Sequence, residues 1–316
     1  MCRCLSSFSQ EPASSVRTSY PYVTRDTLVL DLDVYRPVSV QADPSRIRAD
    51  SSRWRGRPCV IFLFGGAFIG GRRDDTIYNN YFHELTANGI VVVSISYRLG
   101  LKGVGHVSPW RITPLRHAID MAVEDVYAAT DWVVSHAGEL GIDASKILLS
   151  GSSPGAITVL DADCRRSNAE WPAQLLPAGF HYAGVIAFSG AILRVGSTLH
   201  YRSAPAPTLL FHGTADRIVP YNKRRFFGRR LYGSATIARI LRANHYPYVI
   251  CREEGRGHEI AVLPMFRRMP EILSFIRDQA IAGKPIEKDI RLRDPDLPPP
   301  MTLSARQLLR KLATPN

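Results

Sequence analysis

Six short, predominantly apolar runs, at residues 59–64, 90–95, 147–149, 183–188, 207–211 and 248–251, constrain this chain more than any other feature. A strand with one wet face alternates apolar and polar residues. Runs without alternation predict strands covered on both faces, as in a parallel sheet. Helical patterns lie between the runs. Ile119, Ala122, Val123, Val126, Ala129 and Val133 recur at three and four residues and predict a helix over 114–140. A second helix is expected directly after Gly151. A third is expected over 264–279, with Met265, Ile272, Leu273 and Ile276 inward. Residues 27–35 differ: Leu28, Leu30, Leu32 and Val34 fall on one face, and Asp31, Asp33 and Tyr35 on the other, which predicts a half-exposed strand. The alternation of strands and helices predicts one doubly wound, mostly parallel sheet flanked by helices. The expected layout is an N-terminal segment over 1–25, one α/β domain over 26–282 and a proline-rich tail over 283–316. Within the tail, residues 304–312 have the pattern of a short amphipathic helix.

Composition narrows the function classes. With 45% apolar and 22% charged residues, the chain is neither disordered nor collagen-like. Its formal charge is +12, but the charge is diffuse. The one dense run is Lys223, Arg224, Arg225, Arg229 and Arg230 around Phe226 and Phe227, and it reads as a solvated helix face. No helix-turn-helix, RNP or zinc-finger pattern accompanies it, so no nucleic-acid partner is expected. Of five cysteines, Cys59 and Cys251 lie in apolar runs and read as small buried hydrophobes. The odd count and wide spacing, which also leaves Cys164 alone, make no disulfide framework. Cys2 and Cys4 lack a later Cys/His pair, so no metal site is expected. The longest apolar run is too short for a membrane span. Residues 4–10 (CLSSFSQ) read either as the end of an export signal or as an ordinary start, which leaves a periplasmic, secreted or cytoplasmic location open, with export favoured if a signal it is.

The chemistry gathers around residues 146–160, KILLSGSSPGAITVL, where an apolar strand enters Gly151-Ser152-Ser153-Pro154-Gly155 and a helical pattern follows. This is G-x-S-x-G in the strand–turn–helix setting that lifts a serine above a sheet edge. Ser153, centred between the glycines, is the candidate nucleophile, and Ser152 is the competing serine. A serine hydroxyl needs a base oriented by an acid. Asp216 follows the strand at 207–211 and is the candidate acid. His258, in a glycine-rich loop after the strand at 248–251, is the candidate base. His212 reads as structural. Asp161 and Asp163 lie in the helix past the elbow, and Glu253 and Glu254 share the histidine's loop, so they are poorer acids. Phe64-Gly65-Gly66-Ala67-Phe68 follows the strand at 59–63; without phosphate-loop spacing it reads as an oxyanion loop, whose backbone N–H groups face a tetrahedral intermediate.

Together these motifs resemble the α/β-hydrolase superfamily, and within it the carboxylesterases related to hormone-sensitive lipase and bacterial esterase/lipase-like proteins, some of which deacylate carbohydrate esters. The resemblance runs roughly from Asp26 to Gln279. Phe64 to Phe68 is similar to an H-G-G-G-[FW] loop, with Phe64 in place of His. Tyr97-Arg98-Leu99 is similar to the family's Y-R-L. Glu124 and Asp125, with Ala128, Ala129 and Trp132, resemble the helix before the elbow. The resemblance implies Ser153, Asp216 and His258 as a triad, the amides of Gly66 and Ala67 as oxyanion donors, no cofactor or metal, and a small-molecule or carbohydrate-borne ester as substrate. It implies nothing about oligomeric state.

One position departs from the family. The remaining oxyanion donor is the N–H of the residue after the nucleophile, and here that residue is Pro154, which has none. Proline also pushes the preceding residue toward extended backbone, so a shifted elbow is expected. Proline equally suits the first position of a helix. The leading expectation is therefore a serine carboxylic-ester hydrolase. A catalytically impaired hydrolase acting as a binding protein, or a peptidase on the same triad, are the alternatives. Residues 106–113, with Trp110 as a wall, are the expected lid or acyl pocket.

Overall fold

Each of the six apolar runs becomes a buried strand of one sheet in the computed structural model, which describes residues 15–37, 56–104, 113–226, 228–294, 297, 299–304 and 307. These strands are β3 (Arg57–Leu63), β4 (Val91–Ile95), β5 (Ile142–Ser152), β6 (Gly184–Phe188), β8 (Thr208–Gly213) and β11 (Tyr248–Glu253). They pair in parallel in the order β4-β3-β5-β6-β8-β11. Helices cover both faces, so every residue of β4 and β6 is buried. Full burial of each Val, Ile, Leu or Phe side chain contributes about 1.5–3 kcal/mol, which is why predominantly apolar runs occupy the centre of the sheet.

The strand order reverses between β3 and β5. The chain steps outward from β3 to β4, then returns to the other side of β3 for β5. At such a switch point the loops leaving adjacent strand ends diverge and open a crevice. The loop after β3 carries Gly65–Phe68, and the loop after β5 carries Ser153.

Four expectations that bear on the sheets are corrected. Residues 15–25, placed ahead of the domain by sequence, form strand β1 (Ser15–Arg25), antiparallel to β2 (Leu28–Pro37), which is itself antiparallel to β4. The 283–316 tail likewise contributes β12 (Glu287–Leu292), parallel to β11 at the opposite edge. The sheet thus has nine strands. In β2 the face carrying Asp33 and Tyr35 is not wet: Asp33 is fully buried and pairs with Arg17 at 2.8 Å and Arg73 at 3.0 Å, and the Ser19 hydroxyl donates to it at 2.6 Å. The basic run is not a helix face. It forms a ribbon of β9 (Lys223–Phe226) and β10 (Arg229–Gly233), which joins β7 (Ala191–Val195) in a three-stranded antiparallel sheet.

Among the helices, α1 (Asn79–Ala87) follows a turn of 3-10 helix at Thr76–Tyr78. The predicted 114–140 helix is α2 (Thr113–Ser135) followed by a short turn, Ala137–Leu140, which Gly141 ends in left-handed conformation. Helix α3 (Pro154–Asn168) starts at the elbow, and α4 (Ser234–Ala243) precedes β11. The expected 264–279 helix is broken into Pro264–Arg267, Met269–Ser274 and a π-helical end, Phe275–Ile281. Pro270 has no N–H to continue the first piece, so the chain restarts there. Among the described residues no helix is long and apolar enough to cross a membrane. Residues 4–10, Cys2, Cys4, Phe227, the 106–112 part of the expected lid and most of 304–312 lie outside the described residues.

Cys59, Cys164 and Cys251 are buried free thiols. Burial pushes Cys164 and Cys251 up to about 12 and Cys59 well above the ordinary thiol range. Only thiolate alkylates, so at pH 8 the native protein is expected to take up iodoacetamide at these three positions at least about a hundredfold more slowly than the urea-unfolded chain. Peptide mass spectrometry of a labelling time course measures this, and equal rates would contradict the burial.

Candidate active site

Three residues far apart in sequence meet at the C-terminal ends of β5, β8 and β11. Ser153 Oγ lies 2.7 Å from His258 Nε2, and His258 Nδ1 lies 2.7 Å from Asp216 Oδ2. His258 Nδ1–H donates to the carboxylate, which leaves the Nε2 lone pair facing the serine hydroxyl. Ser153 and His258 retain only 9% and 8% exposure, so the pair is screened from bulk water yet reachable.

The elbow is a consequence of close backbone approach. Ser153 has φ 53° and ψ −113°, a region disfavoured for a residue with a Cβ. A Cβ on Gly151 would fall 2.4 Å from the Gly155 carbonyl, and one on Gly155 would fall 2.2 Å from Leu63 O. Glycine at both positions lets β5, the start of α3 and the end of β3 touch. Pro154 does not shift this turn: it occupies the first turn of α3, and Ser153 keeps its positive φ and its contact with His258. Its cost is the missing N–H alone. Ser153 N is itself tied to Phe188 O at 2.9 Å.

Asp216 sits in a short turn after β8. Its Oδ1 accepts from the amides of Ile218 and Val219 at 2.8 and 3.0 Å. Burial alone raises this carboxyl; hydrogen bonds from His212 and His258 outweigh it and hold the group well below the usual carboxylate range. His212, read from sequence as structural, is fully buried against the acid. Its Nε2 lies 3.2 Å from Val219 O and 3.4 Å from Asp216 Oδ2, and its Nδ1 lies 2.7 Å from Ser234 Oγ.

The loop after β3 carries the candidate oxyanion donors. Gly66 has φ 125°, and a Cβ there would collide with Gly70 O at 2.1 Å. Ala67 and Phe68 follow at φ 58° and 59°. Among the described residues the amides of Gly66 and Ala67 meet no acceptor. Phe64, where the family has His, is buried and stacks on Tyr97 with ring centroids 4.5 Å apart, and the Tyr97 hydroxyl donates to Phe64 O at 2.8 Å. Arg98 then pairs with Glu124 at 2.7 Å and with the fully buried Asp125 at 2.9 Å, which also receives Arg25. The Tyr-Arg and Glu-Asp motifs are thus two halves of one clamp between the loop after β4 and α2.

The remaining acids are engaged elsewhere. Asp161 is held by Arg165 and Arg194, Asp163 by Arg166, Glu253 by Arg268, and Glu254 by Arg291 and Arg293. Ser152 turns away from the base, and its hydroxyl donates to Ala261 O at 2.8 Å. A role for Tyr78, whose hydroxyl accepts from Gly65 N–H at 2.9 Å, was not foreseen. Two surface cavities, of about 430 Å³ beside Thr214 and Tyr221 and about 520 Å³ over Asp161 and Arg194, are not lined by Ser153 or His258. Among the described residues no cluster of His, Cys, Asp and Glu is arranged to hold a metal.

The elbow contacts carry a stability prediction. Gly155→Ala and Gly151→Ala are expected to lower the thermal midpoint by many degrees, through overpacking of typically 1–3 kcal/mol or more. Gly138→Ala, whose Cβ meets nothing within 4 Å, is expected to leave the midpoint unchanged or raised. Differential scanning calorimetry of the three variants compares them.

Comparison with known proteins agrees with this architecture. The BD-FAE family model matches residues 47–170. Fumonisin B1 esterase of Sphingopyxis macrogoltabida is 31% identical over 102 residues, which is 32% of this chain and 18% of that protein. Esterase LipI of Mycobacterium tuberculosis is 33% identical over 98 residues, 31% of this chain and 26% of the relative. Lipase 1 of Geotrichum candidum is 28% identical over 176 residues, 54% of this chain and 27% of the lipase. The chain therefore spans roughly a fifth to a quarter of the length of these relatives. The apo form of Thermogutta terrifontis esterase 2 superposes with a TM-score of 0.57 at 21% identity, covering 88% of this chain and 98% of that one. Its sheet order and this solved structure give the chain the α/β-hydrolase fold, and over part of its length it is similar to esterases and lipases.

Proposed function

We propose that the chain hydrolyses carboxylic esters through an acyl-enzyme on Ser153, taking short-chain acyl or carbohydrate-linked esters. The observation that carries this reading is the unbroken hydrogen-bonded series Ser153–His258–Asp216 at 2.7 Å per link. His258 Nε2 takes the Ser153 proton as Oγ attacks the ester carbonyl carbon. The carbonyl oxygen becomes an oxyanion facing the N–H groups of Gly66 and Ala67. Collapse expels the alcohol, which receives the proton from His258, and water then repeats the sequence on the acyl group. Asp216 stays ionised, holds the imidazole in the required tautomer and stabilises the imidazolium. The curated esterases and lipases support the ester class. The solved relative Thermogutta terrifontis esterase 2 is phosphorylated by paraoxon, a reaction of an activated nucleophile.

Pro154 supports the second reading, a binding protein of low turnover. One oxyanion donor is typically worth about 10²–10³ in rate. Hydrolysis of p-nitrophenyl acetate and butyrate tests both readings. Ser153→Ala is expected to abolish turnover. Asp216→Asn is expected to lower kcat by about 10⁴, by releasing the imidazole tautomer. Pro154→Ala is expected to raise kcat about 10- to 100-fold by restoring an N–H at the elbow. Turnover unchanged in Ser153→Ala would exclude the acyl-enzyme. Silence in the folded wild type and in Pro154→Ala would favour the binding protein.

A further inference from the structure

Two tyrosines three residues apart face two serines that share one face of β5. Tyr81 Oη lies 3.0 Å from Ser150 Oγ in the core. Tyr78, closer to the end of the strand, has its hydroxyl against the next serine on that face, Ser152. Both oxygens crowd the same side of Gly65: a Cβ there would lie 3.1 Å from Ser152 Oγ and 3.2 Å from Tyr78 Oη. Tyr78 Oη accepts from Gly65 N–H at 2.9 Å, and Ser152 Oγ donates to Ala261 O at 2.8 Å. Each hydroxyl has a single hydrogen. That of Ser152 is committed to Ala261. Both groups are buried, at 5% and 1% exposure. Burial raises the Tyr78 phenol above its ordinary value, against the lowering contacts with Gly65 and Ser152, so it stays protonated and keeps its donor.

We propose that Tyr78 and Ser152 are positioning residues whose adjacent buried hydroxyls together bridge three segments, Tyr78 by accepting from Gly65 N–H and Ser152 by donating to Ala261 C=O, and so hold the oxyanion loop, the elbow and the base in register. Gly65 precedes the two donor amides. Ser152 precedes the nucleophile. Ala261 ends the 3-10 turn His258–Ala261 that begins with the base. This deepens the esterase reading and rests on it for the catalytic consequence. The consequence is sharpened by Pro154. With no N–H after the nucleophile, the oxyanion depends on two amides of a single segment, and that segment contains two consecutive non-glycine residues at positive φ. Relaxation of this strained backbone would move both donors at once. Tyr78 restrains the amide directly before them.

The test compares wild type, Tyr78→Phe and Ser152→Ala in two ways. Amide hydrogen exchange is followed in peptides covering 64–71 and 258–263, and kcat and KM are measured for p-nitrophenyl butyrate. The bridge predicts that exchange rises at least about tenfold in 64–71 for Tyr78→Phe and in 258–263 for Ser152→Ala, with exchange outside the two peptides unchanged. It predicts kcat about 10- to 100-fold lower, with KM within about twofold, because misplaced donors weaken the transition state more than the ground state. Unchanged exchange in 64–71 for Tyr78→Phe overturns the bridge whatever the activity. Faster exchange throughout the molecule, or a rise in KM without a fall in kcat, assigns these residues to packing and also overturns it. If the wild type hydrolyses no ester, the esterase reading fails by itself, and the exchange comparison still decides the bridge.

Discussion

The contact between three backbone segments at the elbow governs the geometry of everything near it. The end of β3, the end of β5 and the first turn of α3 approach so closely that a methyl group at Gly151 or Gly155 would fall within 2.4 Å of a backbone atom. That approach holds Ser153 in a conformation it would not choose alone and aims its hydroxyl over the sheet edge. It also places the loop after β3 beside Ser153, because β3 and β5 are neighbours across the point where the strand order reverses. The candidate oxyanion donors are near Ser153 for this topological reason, and they share no local sequence with it.

Charge supports the same arrangement from behind. Asp125 is fully buried on α2 and gathers Arg98 from the loop after β4 and Arg25 from the end of β1. Removing one partner from such a site leaves a charge without compensation, which typically costs about 3–5 kcal/mol when burial is complete. The arginines are partly exposed, so the cost here falls below that range. The edge hairpin of β1 and β2 is thereby tied to the helix that precedes the elbow, and Tyr97, next to Arg98, is tied to Phe64 at the root of the oxyanion loop.

The parallel core was legible in the sequence because double-sided burial leaves no polar alternation, and all six runs became strands. The edge strands were not. β1 and β12 are exposed along much of their length and carry mixed residues, and β9 and β10 are dominated by arginine, whose spacing does not separate a ribbon from a helix face. Asp33 misled because an acid in an alternating strand reads as solvated, whereas Arg17, Arg73 and Ser19 come from distant positions to satisfy it. That Ser153, Asp216 and His258 would lie together was legible from chain order and from their places after buried strands. The links through Tyr78, Ser152 and His212 were not, since each joins residues brought together only by the sheet. In retrospect the spacing of Ser150 and Ser152 on an otherwise apolar strand was a signal, for a buried hydroxyl on one face requires a partner packed against that face.

The distance along the chain between Ser153 and His258 has a consequence for the protein during its synthesis. Their contact spans 105 residues, and the strands that carry Asp216 and His258 are added to the sheet after the elbow strand. A ribosome that has released the serine has still to translate β6, β8 and β11 before the imidazole exists. The growing polypeptide therefore lacks the Ser153–His258 contact until its last central strand docks.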